Sequence, residues 1–143
     1  MKNGRHAPPP PLAHRRVMVL EDEFAIKSNL ESLLEKAGAM ISSLYHPRLE
    51  AAILDVQMER GPSSIQIARE LSRRGVPFFF YTGQPDEVLA PVRAEWPHTT
   101  FLMKPAPAET ILQTLAGLLA GTHRPSMSPV LAGPRRYSQT GGL

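Results

Sequence analysis

The amino-acid sequence predicts an α/β domain whose sheet is parallel and covered by helices on both faces. Three observations predict it. Short apolar runs recur along the chain, amphipathic helical patterns alternate with them, and the runs end in acids, a threonine or a lysine instead of hairpin turns. At 143 residues the chain is long enough for one domain with its own core and some residues left over.

Residues 1–14 read as a disordered basic arm, because the four prolines at 8–11 favour extended polyproline II and no apolar period surrounds them. The folded region is expected over 15–120. Its first strand is Val17 to Leu20, an apolar run that ends in Glu21, Asp22 and Glu23. Ala25, Ile26, Leu30, Leu33, Leu34 and Ala37 then share one helical face, and Gly38 closes that helix. Ala39 to Leu44 is expected as the second strand. Ala51 to Leu54 is the third, a buried run that delivers Asp55 at its carboxyl end. Beyond the loop from Gln57, a helix carries Ile65, Ile67, Ala68 and Leu71 on one face, with Ser63 or Ser64 as its N-cap and Gly75 as its end. Pro77 to Tyr81 is a fourth strand, leading into Thr82 and Gly83. A proline-punctuated helix follows around Asp86 to Val92, then a last strand from Thr100 to Met103 that leads into Lys104 and Pro105. The final helix is expected from Glu109 to Leu119, stopped by Gly121, and residues 121–143 read as a disordered basic tail.

The charge is uneven. The acid-free stretches 1–16 and 121–143 carry +7, whereas the other 104 residues hold nine Lys or Arg against all 13 acids, a net of −4. The basic pI therefore belongs to the ends, and it does not point to a nucleic-acid reader. There is no cysteine, and no apolar run approaches the roughly 18 residues of a membrane span. The basic N-terminus leads into prolines and not into an apolar segment, so no secretory signal is read, and a cytoplasmic location is expected. The histidines, His6, His14, His46, His98 and His123, show no ligand spacing. Trp96, next to Pro97, is read as a packing residue.

Parallel strands place their carboxyl ends together, where open α/β sheets hold their ligands. Here those ends bring Glu21, Asp22, Asp55, Thr82 and Lys104 to one edge. Alone, Asp55 could be a turn or capping residue. Three converging carboxylates repel unless a cation sits among them, and hard oxygen ligands in that number suit Mg²⁺. Lys104 and the Thr82 hydroxyl could each meet a phosphoryl oxygen, and Gly83 leaves room for the group to enter. The chemistry that uses all of them at once is phosphorylation of Asp55.

In these residues and their order, the chain resembles a receiver domain of bacterial two-component response regulators, of the single-domain type. The resemblance implies a flavodoxin-like doubly wound parallel sheet of order 2-1-3-4-5. It implies Asp55 as phosphoacceptor, Asp22 as a direct Mg²⁺ ligand, Glu21 acting through water, and the Gln57 backbone carbonyl completing the site. Thr82, Gly83 and Lys104 would bind the phosphoryl group, Thr82 and Phe101 would act as the switch, and the peptide bond before Pro105 would be cis. The phosphoryl group would come from a sensor histidine kinase or a histidine phosphotransfer protein. Output would pass to a downstream protein through the last two strands and their helices, around Phe101 and Glu87 to Val92. Catalysis would be limited to the domain's own phosphorylation and dephosphorylation.

The chain departs from that pattern in two places. Only Tyr45 to Glu50 separates the second and third strands, whereas a parallel crossover with its helix needs about 10–12 residues. Either Ala39 to Leu44 is not a regular second strand, or the crossover is a bare loop, or a segment of about a dozen residues has been lost. A missing second crossover helix is the favoured expectation, and the apolar surface it would uncover invites a homodimer, a swapped element or low stability. The loop after Asp55 also lacks the usual Met-Pro sequence, which leaves its geometry open. Two rivals follow. A metal-dependent phosphatase would have a second aspartate where Gln57 stands. A phosphorylation-incompetent receiver kept as a protein-binding module would follow if the deletion distorted the third strand.

Overall fold

The computed structural model describes residues 8–56 and 63–122. Five strands and four helices follow in the order β1 (Arg16–Leu20), α1 (Phe24–Lys36), β2 (Met40–Ile41), β3 (Ala51–Leu54), α2 (Ser64–Arg73), β4 (Phe78–Thr82), α3 (Asp86–Glu95), β5 (Phe101–Met103) and α4 (Ala108–Thr122). The strands form one sheet of order β2-β1-β3-β4-β5, and every neighbouring pair is parallel. This is the doubly wound arrangement that the sequence predicts.

Alternation along the strands divides the core in two. Val17, Val19, Ala51, Ile53, Phe79 and Tyr81 face α1 and α4, where Leu30, Leu34, Ile111, Leu115 and Leu119 complete one cluster. Met18, Ala52, Leu54, Phe78 and Phe80 face α2 and α3, where Ile67, Leu71, Leu89 and Val92 complete the other. Both faces of β3 and β4 are buried, so β3 and β4 up to Tyr81 are continuous apolar runs, with Thr82 the buried polar end of β4. Ser63 and Gln66 form a capping box at the start of α2, and Gly75, at φ +73°, follows its end.

No helix lies between β2 and β3, as the short link predicts. The strand before it is shorter than expected, two residues instead of Ala39 to Leu44. The apolar surface beside β1 is nevertheless not left open. Leu49 is buried in the same cluster as Met18, Ala52 and Leu54, on the face that lacks the helix, with Leu44 packed at the cluster's margin. The Arg74 guanidinium, at the C-cap of α2, donates to the Leu44 carbonyl and, at 2.9 Å, to the His46 carbonyl. A bare loop thus closes the face, tied to α2 by Arg74 and to the start of β1 by Glu50, whose carboxylate accepts from the Arg15 Nε at 2.9 Å and the Arg16 N–H at 3.0 Å.

Two boundaries differ from expectation. The arm is expected over residues 1–14, yet Leu12 is completely buried in the α1/α4 cluster. Its N–H donates to the Ala37 carbonyl at 2.9 Å, and the N–H of His14 donates to Gly38 at 3.0 Å. Gly38, at φ +98°, admits this segment: a Cβ there would lie 2.9 Å from the Ala13 Cα. The proline run masks a single leucine that carries the docking. At the other end α4 runs past Gly121 to Thr122, since one glycine costs a helix only about 1 kcal/mol and does not end it. Residues 1–7 and 123–143 lie outside the described residues, as does Gln57. No described helix is long and apolar enough to cross a membrane.

Candidate functional site

The register of the sheet assembles the site. Leu20 is level with Leu54, so the residues that follow them, Glu21 and Asp55, leave the sheet side by side, and the Asp55 N–H donates to the Leu20 carbonyl at 2.9 Å. Thr82 is level with Met103, and the Lys104 N–H donates to the Thr82 carbonyl at 2.9 Å. Lys104 thereby comes off the sheet at the same edge as the acids.

The Lys104 Nζ lies 2.6 Å from Glu21 Oε1 and 3.3 Å from Asp55 Oδ2. Glu21 and Asp55 are buried, while Asp22 is exposed beside them. Glu21 Oε2 also accepts the Glu23 N–H at 3.0 Å, which fixes its carboxylate across the lysine. Burial acts to lower the Lys104 pKa, but the Glu21 hydrogen bond and the charges of Asp55 and Glu21 outweigh it and hold the ammonium above its ordinary value. The lysine is therefore a fixed positive charge at this edge. Its peptide bond to Pro105 is cis.

Glu21, Asp22 and Asp55 each offer one oxygen within 4.8 Å of the others. Three hard oxygens at that spacing, one solvent-facing, fit an ion such as Mg²⁺, which keeps several of its waters. A cavity of about 420 Å³ opens over them, lined by Glu21, Asp22, Glu23, Ile26, Asp55, Gly83, Gln84 and Lys104. Of the described histidines, His14, His46 and His98, none belongs to a metal-capable cluster among the described residues.

Thr82 and Phe101 stand apart from this group. By strand alternation Glu21, Asp55 and Lys104 belong to the α1/α4 face of the sheet, whereas Thr82 and Phe101 belong to the α2/α3 face. Thr82 is completely buried, does not line the cavity, and accepts the Gln84 N–H on its hydroxyl at 3.1 Å. Gly83 does line the cavity, but a Cβ there would meet nothing closer than the Lys104 Cβ at 4.0 Å, so crowding alone does not require a glycine. Phe101 is half-buried and stacks on Phe80 with centroids 4.8 Å apart.

Several contributors are absent from the sequence reading. The Tyr81 ring lies 5.7 Å from the Lys104 ammonium, and its hydroxyl accepts the Ala106 N–H at 3.3 Å. The Ser64 hydroxyl, buried, donates to the Val56 carbonyl just past Asp55. Arg93 lies over Phe101. Only Tyr81 had a sequence signal, a phenol at the end of a wholly apolar strand. Trp96 packs edge-on against Phe78 and Phe80, at 5.9 and 5.8 Å.

Solved structures match the backbone fold. A response regulator receiver domain protein from Methanospirillum hungatei superposes with a TM-score of 0.66 at 15% identity, over 76% of this chain and 96% of its own. The fold is that of response regulator receiver domains. A receiver domain protein from Clostridium thermocellum gives a TM-score of 0.64 at 20% identity, over 76% and 96% of the two chains. The PhyR receiver domain of Erythrobacter litoralis gives 0.62 at 23%, over 82% and 98%. No protein-family model matches the sequence, and no curated protein does. The receiver fold is thus seen in the backbone, while the roles of its side chains rest on the geometry above.

Proposed function

We propose that this chain is a phosphorylatable receiver that takes a phosphoryl group on Asp55 from the phosphohistidine of a sensor kinase or a histidine phosphotransfer protein. The observation that carries the reading is the Lys104 ammonium bridging Glu21 and Asp55 at one end of a receiver-fold sheet. In the transfer an Asp55 carboxylate oxygen bonds to phosphorus as the phosphorus–nitrogen bond of the donor breaks, and that electron pair returns to the imidazole. Lys104 leaves its contact with Asp55 to neutralise a phosphoryl oxygen, which positioning and electrostatics suffice to promote. Glu21, Asp22 and Asp55, with the Gln57 carbonyl, would hold Mg²⁺, which when bound supplies charge neutralisation between the carboxylate and the incoming anion. Gly83 borders the cavity that admits the group, and the buried Thr82 hydroxyl would have to leave Gln84 to reach it. No activity beyond the domain's own phosphorylation and dephosphorylation is invoked. Output passes by protein contact through the Phe101 face.

The reason to suspect an inert binding module is a third strand distorted by the short crossover. Instead β3 pairs through four residues with β1 and three with β4, which favours a competent acceptor. Acetyl phosphate with Mg²⁺ is expected to add one phosphoryl group to the wild-type chain and none to Asp55→Asn, read by intact-protein mass spectrometry. A wild-type mass that never changes, together with no beryllofluoride adduct, would leave the inert module as the reading.

A further inference from the structure

Phe101 lies between the core and solvent in an arrangement that the phosphorylation site does not explain. Its ring stacks on the fully buried Phe80, with planes 25° apart, and the guanidinium of the exposed Arg93 lies over it with the carbon 4.4 Å from the ring centroid. Among the described residues this guanidinium has no ion pair or hydrogen bond. The nearest acid along its helix, Glu95, is taken by Arg69 through bonds of 2.8 and 3.0 Å. Arg93 is in the last turn of α3, so the contact ties that helix directly to β5. Phe80, Phe101, Phe78 and Trp96 then form one connected group of rings with α3.

We propose that Arg93 is a positioning residue that holds the Phe101 ring at its resting place and so sets how readily a change at Asp55 reaches α3. This deepens the receiver reading and rests on it. A ring that moves inward toward Thr82 must leave the guanidinium behind, and the lost attraction biases the equilibrium toward the resting arrangement. The bland alternative is that Arg93 serves only the negative end of the α3 dipole. The two differ in what Phe101 does to the effect of Arg93.

The test uses the full chain labelled with fluorophenylalanine. The chain has five phenylalanines, and the Phe101 resonance is the one that Phe101→Leu removes. In the resting protein Arg93→Gln is expected to shift that resonance and Arg93→Lys to shift it less; an unmoved resonance in Arg93→Gln overturns the proposal. Beryllofluoride is then titrated with Mg²⁺ and followed by Trp96, the only tryptophan. Arg93→Gln is expected to lower the half-saturating concentration about two- to fivefold, with Arg93→Lys between it and wild type. In a Phe101→Leu background Arg93→Gln should have no further effect, whereas a dipole role would persist there. An adduct at Asp55 with the same midpoint in all variants overturns the Arg93 role alone. A wild type that forms no adduct overturns the phosphoacceptor reading, and the coupling falls with it.

Discussion

The two ends of β3 are built on different principles. At its carboxyl end Asp55 meets Glu21 and Lys104 in a cluster of charges, with Asp22 exposed beside it. At its amino end the link from β2 is bare loop, closed by the buried Leu49, by the Arg74 guanidinium that donates to two carbonyls, and by Glu50, which pairs with Arg15. One end gathers charge beneath a cavity, and the other has a loop where a crossover helix would lie. A receiver fold without its second crossover helix thus keeps β3 paired on both sides, provided something covers the sheet face.

The closure at the amino end is expected to fail most readily at Leu49. Leu49→Ala is expected to destabilise the domain by about 2–4 kcal/mol, because the loop cannot fully collapse onto the face that the side chain fills. Urea unfolding checks this, and beryllofluoride binding at Asp55 should be unchanged in the fraction that is folded. A loss below about 1 kcal/mol would mean that Leu49 is not the cover.

Arg74 offers a smaller and more local test. Arg74→Met keeps the apolar stem and removes both donors, with an expected cost of about 1–2 kcal/mol. Hydrogen exchange at the amides of His46 and Leu49, which close the turns of this loop through bonds of 3.1 and 3.2 Å, should accelerate while the β3 amides keep their protection. Uniform acceleration across the sheet would show instead that the loop and β3 open together.

The same contrast explains what was legible in the sequence. Runs such as Ala51 to Leu54 announce buried parallel strands, and an acid or a lysine after such a run has only the carboxyl edge to occupy, so Asp55, Glu21 and Lys104 could be brought together from spacing alone. The short link also showed as a count of residues. What filled the gap did not show, because Leu49 and Arg74 act as single side chains without a period, 25 positions apart. Leu12 was hidden for a related reason: four prolines dominate local composition, while one buried leucine decides docking. Arg93 over Phe101 has no sequence signature either, since cation and ring belong to different elements. The separation of Thr82 from the cavity follows from strand parity, and could have been read once the register was known.

The smallest expected effect distinguishes the charged end by its pH dependence. The Lys104 pKa is raised in the folded chain above its reference of 10.5. A raised pKa means that the folded state keeps the proton longer than the unfolded state, so the stabilisation from this lysine is fully present below about pH 10.5 and is lost as pH rises through the folded value. The stability difference between wild type and Lys104→Met, measured by urea unfolding in chelator, should therefore be flat from about pH 8 to the reference value and shrink above it. Leu49→Ala measured over the same range should differ from wild type by a constant amount, since it removes no titrating group. If the Lys104 difference is equally constant, the ammonium contributes no ion-pair stability to the carboxyl edge, and its contacts with Glu21 and Asp55 do not hold the fold together.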